Sequence, residues 1–388
     1  MVLNHSFSSS NTSFSVIHPS FNTLYRRFSN IRPIFHIIIT PSSLCTVPFA
    51  IATQKKMVSS KTRRTLAVDF KTYYRSANPP TKLPATFEIE IDDSTYLPKV
   101  DDPTADWVSM VATPAFRAYS VLRPDQVKRF ATVGTGSGLD AIIASEVYNL
   151  EHLAITDLHH SVLGTAARNV VSVLGASKGI GNTIISAAYG DLLTPIAGTG
   201  IQFDLIYENL PNIPIEATED EITEGQTSAT YVEERKEQLP VVAQKNLLAL
   251  HFLAIKQGVT MLAPGGHILS SMGGRIPVKD IVDMALAAGV HAEIHTYTWK
   301  EQSEPEEVIG GYVHHQRKGL GPFHWYPIEV LKEVFQGVSA AEAGAQAYEI
   351  EAKLAPHKLD AVAAYDAYKQ GQSVGHTVVV IRSRVLEN

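Results

Sequence analysis

The sequence predicts an α/β protein built on a doubly wound, mostly parallel sheet, and three observations lead to this fold class. Short apolar runs alternate regularly with helical patterns after residue 126. The stretch Arg129 to Gly138 is an apolar run that breaks into three glycines at alternate positions before a helical pattern starts. Polar residues directly follow several of the predicted strands. Such alternation favours a parallel sheet with helices covering both faces.

The composition argues against several classes of protein. The 388 residues include 33 Lys plus Arg and 39 Asp plus Glu, giving a net charge of −6 without a dominant basic block. No nucleic-acid partner is therefore expected, because such binding relies on concentrated positive charge. The single cysteine, Cys45, can form neither an internal disulfide nor a cysteine zinc site, which suits a reducing, intracellular compartment. The apolar stretch Ile34 to Ile39 is too short to span a bilayer, so no membrane partner is expected.

Residues 1–65 differ in kind from the rest of the chain. They are rich in Ser, Thr and Phe, carry several Arg and Lys residues and contain no Asp or Glu. This composition is typical of an organelle transit peptide, and the alternative is that synthesis begins at Met57. We expect a disordered or transit-like extension outside the fold. The protein is then expected in the cytoplasm, or in mitochondria if the extension is a real transit peptide.

Residues 66–126 are expected to form an N-terminal lead-in that acts as a lid. Its predicted elements are a helical turn, an exposed strand and a helix (Phe70 to Arg75, Phe87 to Ile91 and Asp106 to Val121). Tyr73 and Tyr74 either pack against the core or present their rings to a ligand.

Residues 127–388 are expected to form the main domain, with an insertion over residues 301–375 before the last strand. The first strand ends at the glycines. The later predicted strands are Leu153 to Thr156, Thr183 to Ala187, Phe203 to Tyr207, His267 to Ser270, Val290 to Thr296 and Thr377 to Ile381. The predicted helices are Asp140 to Tyr148, Ser161 to Leu174, Val232 to Gln257 and Val278 to Ala288. The run Glu216 to Glu224 is predicted to be an acidic loop with a possible gating role.

The glycines Gly134, Gly136 and Gly138 predict a tight turn between a strand and a helix. Glycine lets the backbone approach a ligand closely, and the first turn of the helix offers it free N–H groups. By itself this signal is weak, because such turns serve many nucleotides. An NAD-binding domain is one alternative, but its glycines are spaced G-x-G-x-x-G, and here position 139 is Leu.

Three polar residues that follow later strands strengthen the prediction of a nucleotide-type site. Asp157 comes about twenty residues after the glycines, where a carboxylate can accept the hydroxyls of a ribose. Asp191 follows the third strand and is placed to meet the exocyclic amine of an adenine. Asn209 follows the fourth strand. Because open α/β sheets bind ligands at the carboxyl ends of their strands, we expect these residues to share one site.

This constellation resembles the class I S-adenosylmethionine-dependent methyltransferases over about residues 105–300 and the final strand. The resemblance implies a Rossmann-like, seven-stranded sheet with an antiparallel last strand, and S-adenosylmethionine as cofactor or as substrate. The cofactor-binding residues that it implies are Thr132, Gly134, Gly136, Gly138, Asp157, Leu158, Asp191, Leu192 and Asn209. Thr132 departs from the family, which usually has Asp or Glu there, so the contact to the cofactor's amino group is expected to be rearranged.

The segment Asn209-Leu-Pro-Asn212 stands where amine and amide methyltransferases of this fold often carry Asn-Pro-Pro-Tyr. The Asn side chain there accepts a hydrogen bond from the attacking nitrogen and aims it at the methyl carbon. Since Asn212 replaces the aromatic residue, a small aliphatic amine is favoured over a flat, stacked acceptor. The alternative is that Asn209 only caps the loop after the strand.

The run Tyr207 to Asn212 also resembles the azetidine-2-carboxylate synthases, which share this fold. The resemblance implies intramolecular attack by the amine of S-adenosylmethionine, with release of methylthioadenosine. Tyr231 and Tyr73 or Tyr74 are then the rings nominated to face the sulfonium, and Ser270 or Ser271 the amine acceptor. We predict Asn209, Tyr231 and Ser271 as the catalytic residues. A third hypothesis is a non-catalytic scaffold whose cofactor site is degraded at Thr132.

Two further clusters receive a plainer interpretation. The His159-His160 pair, and His314-His315 with His324, lack the usual spacing of metal ligands, so no metal is expected. Phe323, Trp325 and Tyr326 in the insertion are predicted to pack rather than to line a pocket. The predicted partner is a small-molecule substrate in specialised metabolism. The sequence fixes neither the acceptor nor the oligomeric state.

Overall fold

The computed structural model describes residues 35–38, 63–93, 95–178, 180, 182–215, 229–232 and 235–386. The acidic run of residues 216–224 therefore lies outside the described residues, as does Met57. The strands are β1 (Phe35–Ile38), β2 (Arg63–Asp69), β3 (Thr86–Asp92), β4 (Arg129–Val133), β5 (His152–Asp157), β6 (Ile184–Tyr189), β7 (Phe203–Glu208), β8 (Ile213–Ile215), β9 (Thr230–Val232), β10 (Leu262–Gly274), β11 (Val290–Glu301), β12 (His324–Pro327), β13 (Leu359–Asp360) and β14 (Val374–Val385).

The α-helices of the described residues alternate with these strands. They are α1 (Phe70–Tyr73), α2 (Thr113–Leu122), α3 (Leu139–Val147), α4 (His160–Gly175), α5 (Val241–Lys245), α6 (Ala249–Gly258), α7 (Val278–Ala287), α8 (Pro305–Arg317), α9 (Ile328–Val334), α10 (Ala340–Ala345), α11 (Ala347–Leu354) and α12 (Ala361–Lys369). A π-helical turn, Val108–Ala112, leads directly into α2. Within the described ranges, none of the helices combines the length and the apolar character needed to cross a bilayer.

The main sheet of the described residues has ten strands, seven of which follow the order β6-β5-β4-β7-β10-β14-β11. Strand β1 pairs with β6 at one edge, and β12, which pairs with β13, also joins β14. Strands β6, β5, β4, β7 and β10 run parallel to one another, whereas β14 runs antiparallel to both β10 and β11. From β4, near the centre of the sheet, the chain moves outward through β5 to β6 and then returns to β7 and the other half of the sheet. This confirms the predicted doubly wound α/β fold with an antiparallel last strand.

Neighbouring residues on the central strands face opposite layers of the core. Leu205 packs into one buried cluster with the lead-in, α3 and α4, and Ile206 packs into the other with α5, α6, α7 and the insertion. Both are buried, as expected for a parallel sheet covered on two sides. The apolar runs in the sequence reflect this double burial. Because β4, β5, β6 and β7 run parallel, their carboxyl ends lie at a single edge of the sheet.

The prediction of one helix from Val232 to Gln257 is wrong. Val232 belongs to strand β9, which pairs in parallel with β8, and the helical part is divided between α5 and α6. Pro240 caps the start of α5, and Leu247 adopts a left-handed backbone with φ of 56°, which breaks the helix between the two parts.

Buried residues of the lead-in, on α1, β3 and α2, pack into the same core cluster as α3 and α4. Strand β3 pairs with β2. We predicted that β3 is exposed, and this is wrong for one of its faces, where Phe87, Ile89 and Ile91 are buried. Residues 1–65 were expected to lie outside the fold, but they include all of β1 and the start of β2. Strand β1 pairs with β6 of the main sheet, and β2 begins at Arg63 and pairs with β3. Amino-acid composition does not predict such strand pairing, because the pairing is made by hydrogen bonds between backbone groups.

Phe116 on α2 anchors the lead-in to the sheet. Its ring is fully buried, with centroid distances of 5.5 Å to Phe130 on β4 and 4.8 Å to Tyr207 on β7, both in edge-on geometry. We expect Phe116→Ala to lower the free energy of unfolding by about 3–5 kcal/mol, because it leaves a cavity beside the rings of Phe130 and Tyr207. Val121→Ala on the exposed face of the same helix should cost less than about 0.5 kcal/mol. Equal urea midpoints for the two variants would contradict this role.

Candidate active site

A cavity of about 700 Å³ opens at the carboxyl edge of the sheet. Its wall combines the loops that follow β4, β5, β6 and β7 with parts of the lead-in, strand β9 and the insertion. Among the predicted site residues, those in the wall are Gly134, Gly136, Asp157, Leu158, Asp191, Leu192, Asn209 and Tyr231. Residues that are far apart in sequence thus meet as the strand-end rule predicts.

The glycine turn follows β4 and is held by the neighbouring strand. The backbone N–H groups of Gly134 and Thr135 both donate to the Thr156 carbonyl, at 2.9 and 3.1 Å. Gly134 and Gly136 have φ angles of 67° and 55°. A Cβ at Gly134 would lie 3.0 Å from the Leu210 side chain, whereas a Cβ at Gly136 would meet no atom within 4 Å. Gly136 therefore leaves space free at the wall, and Gly134 allows close packing of two loops.

Asp157 ends β5 beneath the glycine turn. Its carboxylate accepts hydrogen bonds from the backbone N–H groups of Gly136, at 3.2 Å, and His159, at 3.0 Å. Burial raises the pKa of Asp157, and these backbone hydrogen bonds oppose the rise. The carboxylate thus orders the turn and still faces the cavity with its remaining acceptor capacity.

Asp191, which follows β6, is paired with an arginine that the sequence reasoning missed. The two guanidinium nitrogens of Arg235 lie 2.6 and 2.9 Å from the two carboxylate oxygens. Arg235 also contacts Glu237 at 3.1 Å, and all three residues line the cavity. No pattern in the sequence marks Arg235, because it lies outside the predicted strands and glycine turns that point to the site.

Asn209 and Tyr231 approach the cavity from β7 and β9. Tyr231 is buried, and Asn209 is partly exposed. Asn212, which replaces the usual aromatic residue, also lines the cavity and donates its side-chain amide to the Leu247 carbonyl at 3.0 Å. Behind this loop, His251 contacts both oxygens of the fully buried Glu208, at 2.8 and 3.0 Å, and so fixes the end of β7.

Three of the predicted site residues lie outside the cavity wall. Gly138 provides room for packing of α3 on α4, since a Cβ there would lie 3.0 Å from Val170. Ser271 is fully buried on β10, near the hydroxyl of Tyr207. Thr132 is fully buried and donates its hydroxyl to the carboxylate of Asp140.

Asp140 brings a carboxylate to the place where Thr132 lacks one. It lies on the first turn of α3, and its side chain reaches back under the glycine turn to accept hydrogen bonds from Thr132, from the Thr135 hydroxyl at 2.9 Å and from the Ala141 N–H at 2.7 Å. Burial raises the pKa of Asp140 to about 6 against the effect of these hydrogen bonds. The carboxylate also lines the cavity. The sequence signal was available, since Asp140 comes two residues after the last glycine, Gly138.

The far end of the cavity is formed by the lead-in and the insertion. Tyr96, Trp107, Arg275, Gln302 and Tyr312 contribute to it. The aromatic residues Phe323, Trp325 and Tyr326 are buried and absent from this wall, in line with the packing interpretation.

Tyr73 and Tyr74 are also buried away from the wall. Their hydroxyls donate to Asp106, at 2.8 Å, and to the Leu139 carbonyl, at 3.2 Å. They therefore belong to the core and not to the site.

In the part of the chain that the structure describes, no three His, Cys, Asp or Glu side chains converge in a way that would hold a metal ion. Comparison with known proteins finds no matching family model and no matching curated protein.

Solved structures similar to this chain include several S-adenosylmethionine-dependent enzymes. The ribosomal protein L11 methylase of Lactobacillus delbrueckii subsp. bulgaricus is 19% identical over 48% of this chain and 70% of its own, with a TM-score of 0.30. An S-adenosylmethionine-dependent methyltransferase of Agrobacterium tumefaciens is 12% identical over 56% and 62%, with a TM-score of 0.35. SMU.776, solved in complex with SAH, is 10% identical over 59% and 52%, with a TM-score of 0.35.

The chain has a doubly wound, Rossmann-like α/β fold. This assignment rests on the order and direction of the strands in the sheet, not on overall superposition with any one of these structures. The glycine turn, Asp157 and Asp191 lie in succession along the carboxyl edge of β4, β5 and β6, and all three line the cavity.

Proposed function

We propose that this protein is an S-adenosylmethionine-dependent methyltransferase acting on a small-molecule amine. The observation that carries the proposal is the convergence of Gly136, Asp157, Asp191 and Asn209 on one cavity of about 700 Å³. This volume is within the usual range of cavities that bind small molecules and cofactors.

The cavity residues fit S-adenosylmethionine at each of its parts. Gly136 leaves room at the wall for the methionine portion, and Asp157 offers carboxylate oxygens to the ribose. Asp191 and Arg235 together offer an acceptor and donors to the adenine. Asp140 supplies the negative charge for the amino group that Thr132 cannot supply. When bound, S-adenosylmethionine provides an electrophilic methyl carbon on a sulfonium.

The role of Asn209 is to orient the attacking nitrogen. Its side-chain oxygen accepts a hydrogen bond from the acceptor amine, which fixes the direction of the nitrogen lone pair. The rings of Tyr96, Trp107, Tyr207, Tyr231 and Tyr312 line the cavity and supply electron-rich faces for a sulfonium. They also exclude water from the reacting atoms.

The direct test is binding of S-adenosylhomocysteine to the full chain, measured by calorimetry. We expect micromolar or tighter binding. A folded protein that binds neither S-adenosylhomocysteine nor S-adenosylmethionine would overturn the proposal in favour of a scaffold. Turnover is then followed with S-adenosylmethionine and a panel of small amines.

The ring of aromatic side chains also favours a second candidate, cyclisation of S-adenosylmethionine itself. In that reaction the amine nitrogen bonds to the carbon next to sulfur, the carbon–sulfur bond breaks, and methylthioadenosine leaves while the nitrogen loses a proton. Incubation with S-adenosylmethionine alone separates the two candidates. Methylthioadenosine and a four-carbon cyclic amino acid indicate cyclisation, whereas turnover only after addition of an acceptor indicates methyl transfer.

The raised pKa of Asp140 predicts a pH dependence of cofactor binding. An ionised Asp140 attracts the cofactor's ammonium, so the affinity for S-adenosylhomocysteine should rise about tenfold from pH 5 to pH 7, as the carboxyl with a pKa of about 6 loses its proton. Calorimetry at both pH values measures this change. Asp157 also has a raised pKa and faces the same cavity, so Asp140→Asn is needed to assign the effect. A full pH dependence that persists in Asp140→Asn would contradict the assignment.

A further inference from the structure

Arg275 is a fully buried cation at the far end of the cavity, directly after β10. Among the described residues, no Asp or Glu oxygen lies within ion-pair distance of its guanidinium, although a buried charge is costly unless it is paired. Its Nε–H has no hydrogen-bond partner there either. Arg275 therefore combines an uncompensated charge and an unpartnered buried donor with a place in the cavity wall, and an anion bound there would compensate the charge.

The surroundings hold this guanidinium in place without neutralising it. Its Nη2 donates to the Gln302 side-chain oxygen at 2.9 Å and lies 2.8 Å from Nε2 of His376. The guanidinium carbon lies 5.0 Å from the ring centre of Tyr312 and 5.6 Å from that of Trp325. Each of these partners is neutral when His376 is neutral, and burial together with the charge of Arg275 lowers the pKa of His376 well below its usual value.

The backbone is also shaped for this side chain. A Cβ at Gly273 would lie 2.1 Å from Nη1 of Arg275, so only glycine lets the guanidinium lie over that position. A second buried cation, Lys300, lies over the Trp107 ring at 5.2 Å and hydrogen-bonds to the Ser303 hydroxyl at 3.3 Å. Burial lowers the pKa of Lys300 to about 7, and the charge of Arg275 adds to this effect. Asp106 and Glu304 act on Lys300 in the opposite sense. The positive potential at this end is therefore centred on Arg275.

We propose that Arg275 binds a carboxylate group of the ligand, which makes the site specific for an amino-acid-type molecule. Arginine matches a carboxylate with paired donors in one plane. The inference rests on the proposed function and deepens it. The carboxylate has two possible sources, the amino acid portion of S-adenosylmethionine and a separate acceptor.

The experiment compares ligands that differ only in this group. Calorimetry on the full chain uses S-adenosylmethionine, decarboxylated S-adenosylmethionine and methylthioadenosine. If the cofactor's own carboxylate is bound, S-adenosylmethionine should bind at least about tenfold more tightly than the decarboxylated form. Arg275→Met should abolish that preference and leave methylthioadenosine binding unchanged. Arg275→Lys should restore part of it.

If the acceptor carries the carboxylate, the two cofactor forms should bind equally. Glycine, 4-aminobutyrate and succinate are then titrated into the wild type and into Arg275→Met, each with and without S-adenosylhomocysteine. At least one of these carboxylates should bind the wild type and fail to bind Arg275→Met. The matched control is Arg129→Met, which removes a partly buried arginine at the amino edge of the sheet, where it pairs with Asp204 at 3.0 Å.

Two outcomes would overturn the proposal. One is equal affinity of the wild type for both cofactor forms together with no binding of any carboxylate probe. The other is carboxylate binding that Arg275→Met leaves intact. If Arg275→Met does not fold, Gly273→Ala displaces the guanidinium with a single methyl group and should show the same loss. Failure of the proposed function is a different result, the absence of nucleoside binding by the wild type.

Discussion

Replacing Gly136 by valine should weaken binding of S-adenosylhomocysteine by at least about 100-fold, a loss of about 2.7 kcal/mol. The backbone N–H of Gly136 donates to Asp157, and the space beside its Cα belongs to the cavity. A valine side chain would occupy that space. Its branched Cβ also disfavours the φ angle of 55° that the turn requires, so the hydrogen bond to Asp157 should be disturbed as well.

Gly198→Val is the matched control for this variant. Gly198 has a φ angle of 79°, and no atom lies within 4 Å of a Cβ placed on it, but it belongs to an exposed loop away from the cavity wall. Its backbone strain, about 1–3 kcal/mol, should therefore lower the stability of the protein without changing the dissociation constant. Calorimetry and thermal unfolding of both variants separate the two effects. An unchanged dissociation constant for Gly136→Val would show that the glycine turn is not the binding site.

Replacing Asn209 by alanine should reduce kcat by about 10²-fold or more, while binding of S-adenosylhomocysteine changes little. The side chain is assigned to the attacking nitrogen and not to the cofactor's rigid portion, so its loss should raise the barrier of the chemical step. The rate is measured as formation of S-adenosylhomocysteine with an amine acceptor, or of methylthioadenosine without one. Either reaction needs an oriented nitrogen, so both should show the loss.

Asn149→Ala serves as the control for Asn209→Ala. Asn149 is exposed and donates its amide to Asp125 at 3.1 Å, outside the cavity wall. Its turnover should equal that of the wild type. Near-normal turnover in Asn209→Ala would reduce this residue to a cap of the loop after β7. A large loss of S-adenosylhomocysteine affinity would instead assign it to cofactor binding.

The strands of the central sheet were predictable because burial on both faces leaves a continuous apolar run. The runs that begin near Leu153 and at Phe203 correspond to β5 and β7 with shifts of one residue at most. The prediction of a single helix from Val232 to Gln257 is wrong. The division of this region into β9, α5 and α6 depends on Pro240, the backbone at Leu247 and pairing with β8, none of which produces a periodic pattern.

The sequence by itself determined the residues that follow the ends of the strands. The cavity contains Gly134, Gly136, Asp157, Asp191 and Asn209, because parallel strands place their carboxyl ends at one edge of the sheet. Each of these residues could be identified from its position just after a predicted strand. The sequence did not distinguish these residues from Thr132, Gly138 and Ser271, whose side-chain directions depend on packing.

Only the tertiary structure decided which charges act in the site. Arg235 meets Asp191 across 44 residues, and Arg275 meets His376 across 101. The insertion and the lead-in close the far end of the cavity around Arg275. The physical reason is that a charge acquires its role from burial and from its neighbours, and both are set by chain segments that no local pattern connects.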